Sequence, residues 1–373
     1  MAKVITFGEI MLRLAPEGYY RFLQADRFMA TYAGGEANVA ASLANFGVDT
    51  AYVTKLPKHE IGQAALNTLR KLGVNTEFIA RGGERLGVYY LEKGASQRGS
   101  LVIYDRANSA IATASPDDFD WDSIFENAEW FHFTGITPAL GPVLVDICRT
   151  ACETAKKKGL SISCDINYRA KLWTREEARK AMSELCAYVD VLISNEEDAK
   201  DVFGIEAEGS DIHGGSLDTE GYKSVAKQLS DKFGLKKTAI TLRSSKSADD
   251  NGWAGLLYDG DEFYFSKHYD IHIVDRVGGG DSFGAGLIYS FLNNKSPREA
   301  LEFAVAASCL KHSIEGDFNM SSVAEVEKLA GGDASGRVQR KKSPGDPARM
   351  LCAIVSRSVC LWDLPLRQIL RIF

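Results

Sequence analysis

The segment Asp275-Arg276-Val277-Gly278-Gly279-Gly280-Asp281-Ser282-Phe283-Gly284-Ala285-Gly286 runs three consecutive glycines into an acidic residue and then into small, helix-compatible residues. Glycines lack Cβ atoms, so the backbone can turn until successive N–H groups point at one spot. The start of the following helix adds unpaired N–H groups and the positive end of its dipole. Such a turn is an anion hole. Asp281 would repel an anion bound there, so it makes no sense as a ligand. It does fit as a general base, taking the proton from a hydroxyl that attacks phosphorus in line. The same residues also read as a glycine-rich turn whose Asp281 merely N-caps a helix, and the segment alone does not choose.

A second glycine turn lies far upstream. Gly34-Gly35-Glu36-Ala37-Asn38-Val39-Ala40 opens an Ala-rich helix with an Asn in its first turn. Small residues let a ligand approach the backbone closely, and Asn38 can both donate to and accept from a polyol. A tight strand-to-helix turn with a capping Asn is the plainer reading. Around these turns strands and helices alternate, with strands at 4–7, 51–54, 77–80, 130–134, 160–164, 189–194 and 238–242 and a hairpin over 253–258 and 262–265. Helices are expected over 61–72, 143–158, 175–188, 222–233, 299–311 and 323–329. That rhythm predicts an α/β protein, a doubly wound, mostly parallel sheet with helices on its faces.

The rhythm breaks between 86 and 112, where two strand-like runs, 87–92 and 100–106, are joined by a polar connection with no helix. With the alternating residues 11–14 they predict a small β-sheet lid, its segments at about 11–33 and 86–112. Tyr89, Tyr90, Tyr104 and Arg106 carry phenol and guanidinium groups suited to a substrate with hydroxyls and a carboxylate, though such side chains are also common in cross-strand pairs.

Ligands of open α/β sheets bind outside the C-terminal strand ends. There the sequence places Asp165-Ile166-Asn167-Tyr168-Arg169, whose alternate residues share a side while the chain stays extended. It also places Asn195-Glu196-Glu197-Asp198, where Asn195 and Asp198 can hold the water shell of Mg²⁺ or simply cap a helix. The Ala- and Val-rich helix over 299–311 leaves room for a flat ring such as adenine.

A chain of 373 residues, 45% hydrophobic and 25% charged, can bury a large core. The net charge of -6 and the pI near 5.7 argue against non-specific nucleic-acid binding. No apolar run of membrane-spanning length and no signal-type segment are present, so a cytoplasmic protein without membrane partners is expected. Seven scattered cysteines fit reduced thiols. Cys148 and Cys152, one helical turn apart, lack further ligands nearby and read as core. Residues 341–373 differ from the rest: six Lys/Arg against two Asp give +4, which leaves -10 on the remainder. We read 1–340 as the catalytic domain and 341–373 as an atypical C-terminal appendage, an altered reading-frame product or an added extension. A partner-binding tail is the alternative.

Two glycine turns, a β lid and an acid behind an anion hole together resemble the ribokinase-like (PfkB) carbohydrate kinases over roughly 3–335. Gly34 to Ala40 is similar to the family's N-terminal signature and Asp275 to Gly286 to its C-terminal one. Within the family, Tyr89, Tyr90, Tyr104, Arg106, Asp165 to Arg169 and Gly316-Asp317-Phe318-Asn319 most resemble the members acting on 2-keto-3-deoxygluconate. The resemblance implies ATP-dependent phosphorylation of that sugar acid at its 6-hydroxyl. Asp281 would be the base and the amides of Gly278, Gly279 and Gly280 the anion hole. It implies sugar contacts from Gly34, Gly35, Asn38, Tyr90, Tyr104, Arg106, Arg169 and Asp317, with the two arginines at the carboxylate. Nucleotide contacts would come from Asn195, Asp198, Thr241, Arg243 and Ser308, with Mg²⁺ held through water near Asn195 and Asp198 rather than directly. A monovalent cation such as K⁺ beside the anion hole, and a homo-oligomer, are further expectations. Asp198 stands where the family usually has Glu, Gly279 where Ala is commoner, and Arg243 where a Gly usually follows the Leu. Fructokinase or ribokinase activity, or a catalytically silent sugar-acid sensor on the same fold, remain the alternatives.

Overall fold

The computed structural model describes residues 3–206 and 219–336. The chain divides into one unit, Met1–Gly332, and a second, Asp333–Phe373, of which only 333–336 are described. The expected appendage at 341–373 lies outside the described residues, as does most of the polar connection after residue 206.

The apolar strand β1 (Val4–Phe7) is buried at every position, as a strand covered on both faces must be. The chain then leaves the main sheet for β2 (Met11–Ala15) and β3 (Met29–Ala33) and returns through helix α1 (Gly35–Asn45). Next come β4 (Thr50–Leu56), α2 (Glu60–Lys71) and β5 (Ile79–Arg81), then β6 (Val88–Glu92) and β7 (Leu101–Asp105). A short helix α3 (Trp121–Ile124) precedes β8 (Trp130–Thr134), α4 (Pro142–Lys157), β9 (Ser161–Asp165), α5 (Arg175–Cys186), β10 (Val191–Asn195), α6 (Glu196–Phe203), α7 (Thr219–Phe233) and β11 (Lys237–Ser245). Strands β12 (Asp250–Tyr258), β13 (Phe263–Phe265) and β14 (Tyr269–His272) lead into α8 (Gly279–Leu292), α9 (Pro297–His312) and α10 (Val323–Ala330).

Among the described residues the main sheet has ten strands in the order β13-β12-β11-β10-β9-β8-β1-β4-β5, with β14 also on β12. Neighbours from β5 through β11 are parallel, and the pairs made by β12 are antiparallel. The chain runs from β1 outward through β4 to β5, then resumes on the other side of β1 at β8. That reversal between β1 and β8 is a topological switch point, where a cleft opens at the strands' C-terminal ends. Helices α4, α5 and α7 bury Ile147, Ala178 and Val225 on one face of the sheet, while α1, α8 and α9 bury Val39, Ile288 and Phe303 on the other. Gly286 lets α8 approach α9 closely, since a Cβ there would overlap the backbone of Ala304.

The lid is a separate four-stranded sheet, β3-β2-β6-β7. Its β6–β7 hairpin is antiparallel with Tyr89 opposite Tyr104, while β2 and β6 run parallel. The sequence reading passed over β3, β14 and α3, which are short or have no continuous apolar face, and are held by their neighbours. No helix among the described residues is long and apolar enough to cross a membrane.

Candidate active site

At the switch point a cleft of about 680 Å³ gathers residues from both glycine turns, the lid and four strand ends. The glycine run divides its work. Gly278 is the N-cap of α8, in the left-handed region at φ 85, and a Cβ there would collide with the carbonyl of Asp317. Gly279 and Gly280 already belong to the helix. A Cβ on Gly279 would strike the His312 ring, whereas one on Gly280 would meet nothing within 4 Å, so that residue faces the open cleft.

Asp281 lies in the first turn of α8 but does not cap it, because the cap is Gly278 with no side-chain bond. The capping alternative is thereby excluded. Its carboxylate instead accepts from Asn38 Nδ2 at 2.7 Å. Asp281 is half-buried, walled by protein and open toward the cleft. Burial pushes its pKa up to about 6, with Asp317 pushing the same way and Asn38, Arg169 and Lys311 opposing. A carboxylate so tuned is poised near neutrality, as a general base should be.

Asn38 is buried in the first turn of α1, and its Oδ1 lies 3.5 Å from the Gly34 amide. Gly34 is required because a Cβ would run into the Glu9 carbonyl, and Gly35 lies against Asp281, with a Cβ position 3.6 Å from Oδ1. Two helix N-termini, those of α1 and α8, therefore converge on one carboxylate.

At the strand ends, Asn167 adopts a left-handed backbone at φ 41, so the expected extended run from Asp165 to Arg169 is broken there. All three polar residues of that run still line the cleft. Asn195 caps α6 through Oδ1, accepting from Glu197 N and Asp198 N at 2.9 and 2.8 Å, and donates through Nδ2 to Asp198 Oδ2 at 3.0 Å. The capping and site readings thus hold together. Burial pushes Asp198 up to about 7. Burial, with Asp198 and Asp281 as neighbours, holds Asp165 well above the usual carboxylate range. Arg169 opposes the rise of both acids but does not outweigh their burial, which suits a site completed by a hydrated cation, although no three acidic, His or Cys groups among the described residues converge to bind one directly. Thr241 and Arg243 line the same cleft, Arg243 stacking over Trp253 at 5.3 Å. Ser308 does not reach it. It is fully buried and donates to the Gly279 carbonyl at 2.7 Å, which makes it a support of the turn rather than a nucleotide contact.

The lid requires two corrections. Tyr89, not Tyr90, faces the cleft, because successive strand residues point to opposite faces. Tyr89 donates to Asp317 Oδ2 at 2.5 Å, while the Tyr90 ring packs against Phe22 and Phe28. Arg106 lines the cleft beside Tyr104, but its guanidinium is paired with Glu9, at 2.7 Å from Nε, and Ser109 donates to the same carboxylate at 2.5 Å. Its charge is matched by the protein. Arg169 donates to the Tyr168 carbonyl at 3.0 Å and makes no ion pair among the described residues. Of the two arginines it is the one left to meet an external anion.

Sequence reasoning gave no role to Arg13, Asp275, Glu9 or Glu36. Arg13 on β2 is buried and forms ion pairs with Asp317 and, at 2.6 Å, with Asp275, and these two carboxylates hold its pKa above the ordinary value despite burial. Its place in an alternating strand resembled a solvent-facing position. Glu36, buried in the first turn of α1, accepts from Thr134 N, Thr134 Oγ1 and Thr137 Oγ1 at 3.0, 2.8 and 2.6 Å, and an acid opening an Ala-rich helix was the available signal.

A switch-point cleft, a lid sheet and a carboxylate between two helix N-termini define a phosphotransferase of the ribokinase-like fold, and residues 1–322 match the model of the pfkB family carbohydrate kinases. The chain belongs to this family and is a phosphotransferase with an alcohol group as acceptor. It is 52% identical to the solved 2-dehydro-3-deoxygluconokinase of Thermotoga maritima, with a TM-score of 0.85 over 89% of this chain and 98% of that one. It is 32% identical to the 2-dehydro-3-deoxygalactonokinase of Haloferax volcanii, over 89% of this chain and 98% of the relative, and 28% identical to the 2-dehydro-3-deoxygluconokinase of Bacillus subtilis, over 87% and 94%.

Proposed function

We propose that the protein transfers the γ-phosphoryl group of ATP to the 6-hydroxyl of 2-dehydro-3-deoxygluconate, the keto-deoxy sugar acid also called 2-keto-3-deoxygluconate. The observation that carries this reading is the Asp281 carboxylate, half-buried between the α1 and α8 N-termini and oriented by Asn38. Asp281 takes the proton of the attacking hydroxyl, and the amides at 278–281 receive the charge that develops on the transferred group. The Gly34 and Gly35 turn, Asn38, Tyr104 and Asp317 hold the sugar hydroxyls, with Tyr89 in the place first given to Tyr90. Arg169 meets the substrate carboxylate, and the Glu9-paired Arg106 shapes the wall behind it. Asn195, Asp198, Thr241 and Arg243 face the nucleotide. Asn195 and Asp198, with Asp165 beside them, would hold the water shell of Mg²⁺, which when bound would supply neutralisation of phosphate charge.

Closure of the lid excludes water that Asp281 would otherwise activate toward ATP. The exposed lid residues Met29 and Ile103 offer a surface on which a homo-oligomer could form. The buried, free cysteines among the described residues accord with a reducing, cytoplasmic setting. The need for K⁺ turns on Lys311, whose ammonium already contacts the turn.

An ADP-release assay over a panel of sugar acids and neutral sugars tests the reading. We expect turnover with the keto-deoxy acids and little with fructose or ribose. Equal use of neutral sugars would favour the fructokinase-type alternative, and ligand binding without ADP release the silent sensor.

A further inference from the structure

Lys311 is fully buried, the only lysine so placed among the described residues. It stands in the last turn of α9, where unpaired helix carbonyls gather negative charge, next to the N-terminus of α8. Its Nζ donates to the carbonyls of Asp275 and Ile314 at 3.1 and 3.2 Å and forms no ion pair among the described residues. Its stem runs along the glycine turn, with Cε 3.2 Å from where a Gly278 Cβ would be. Burial lowers its pKa, while Asp275, Asp317 and Asp281 oppose that fall. A buried positive charge held by backbone carbonyls is the arrangement that otherwise receives a dehydrated monovalent cation. The family resemblance implies such an ion beside the anion hole, but here the carbonyls on that side are already occupied by the ammonium's protons. The residues present do not fit K⁺.

We infer that the Lys311 ammonium is the built-in cation of the anion hole, fixing the Asp275 and Ile314 carbonyls so that the 278–281 amides keep their aim, and that the protein therefore takes no potassium ion there. Lys311 touches neither substrate nor phosphate and is a positioning residue. The inference rests on reading the turn as the phosphoryl cradle.

Two measurements on the full chain test it, with choline, potassium or ammonium chloride at matched ionic strength. The first is the midpoint of thermal unfolding, which needs no substrate and so stays readable if the sugar assignment is wrong. The second is the ADP-release rate. The native protein should give the same midpoint and the same kcat in all three salts. Lys311→Ala should lose roughly tenfold or more in kcat, with KM for ATP changed by less than about threefold. Potassium or ammonium should then raise both its midpoint and its kcat. Lys311→Met, which fills the space with an uncharged chain, should stay slow in every salt. If the Ala variant cannot be purified, the Met variant and the native salt comparison decide. Activation of the native protein by potassium, a Lys311→Met chain with native kcat, or a slow Ala variant that no cation restores would overturn the inference.

Discussion

Asn38 Nδ2 donates to Asp281 Oδ2 at 2.7 Å, joining the first turn of α1 to the first turn of α8 across 243 residues of sequence. The bond uses one oxygen of the carboxylate and leaves the other for a substrate hydroxyl. Replacing Asp281 with Asn keeps the shape and removes the base. We expect kcat to fall by roughly 10²- to 10⁴-fold while ATP affinity, read by calorimetry, changes by less than about twofold. Near-native turnover by the Asn variant would end the base assignment.

The same bond sets the acid limb of the pH profile. Asp281 must be deprotonated to act, so kcat/KM should fall as pH drops through about 6. Asn38 opposes the upward shift by favouring the charged form, so Asn38→Ala should move the acid limb to higher pH. A limb that stays in place or moves down would contradict the geometry.

Arg169 carries the prediction about substrate class. Without its guanidinium the substrate carboxylate loses a charge-assisted contact worth ~1.5–3 kcal/mol, or roughly 10- to 150-fold in kcat/KM. Arg169→Ala should therefore penalise the keto-deoxy acid but not a neutral sugar used as a poor substrate. Equal losses on both would remove the sugar-acid argument.

The lid tyrosines make a matched pair. Tyr89→Phe deletes the hydroxyl that donates to Asp317 and should raise KM for the sugar several-fold, about 1 kcal/mol. Tyr90→Phe, on the opposite face of β6, should leave steady-state constants unchanged. The reverse pattern would place the strand one residue out of register.

A chain ending at Arg340 should keep its activity and unfold at the same temperature as the full chain, if residues 341–373 are an appendage to the catalytic fold. Loss of soluble protein on truncation would assign that segment a structural part.

Much of this site was legible because its chemistry is local. The 278–281 turn, Asn38 and the strand-end residues Asp165, Arg169 and Asn195 sit within short segments whose residue types announce a phosphate, a polyol or a strand terminus. What could not be read was pairing over distance. Glu9 and Arg106 look like two independent charges until β1 and the lid bring them together, and the match changes which arginine is available to a ligand. Arg13 looks solvent-facing because alternation marks one face of a strand as polar without saying what covers it. Tyr89 and Tyr90 are adjacent tyrosines on a strand of period two, and only the register assigns one of them to the cleft. Lys311 was hidden for the opposite reason, since a polar residue within an Ala-rich helix attracts notice only when that helix lies against the turn it supports, and the same packing makes Ser308 a support of that turn where a nucleotide contact was expected.

The Arg13 pairs also constrain the order of events during synthesis. Its two carboxylate partners lie 262 and 304 residues downstream. A nascent chain can therefore pair the early strands of its lid well before it can neutralise the charge that strand β2 carries inward. Burying that charge unpaired would cost ~3–5 kcal/mol. The N-terminal half must keep Arg13 in water, and the lid unseated, until first Asp275 and then Asp317 have left the ribosome. Only then do the first strands settle, so the earliest part of the protein to be made is among the last to become native.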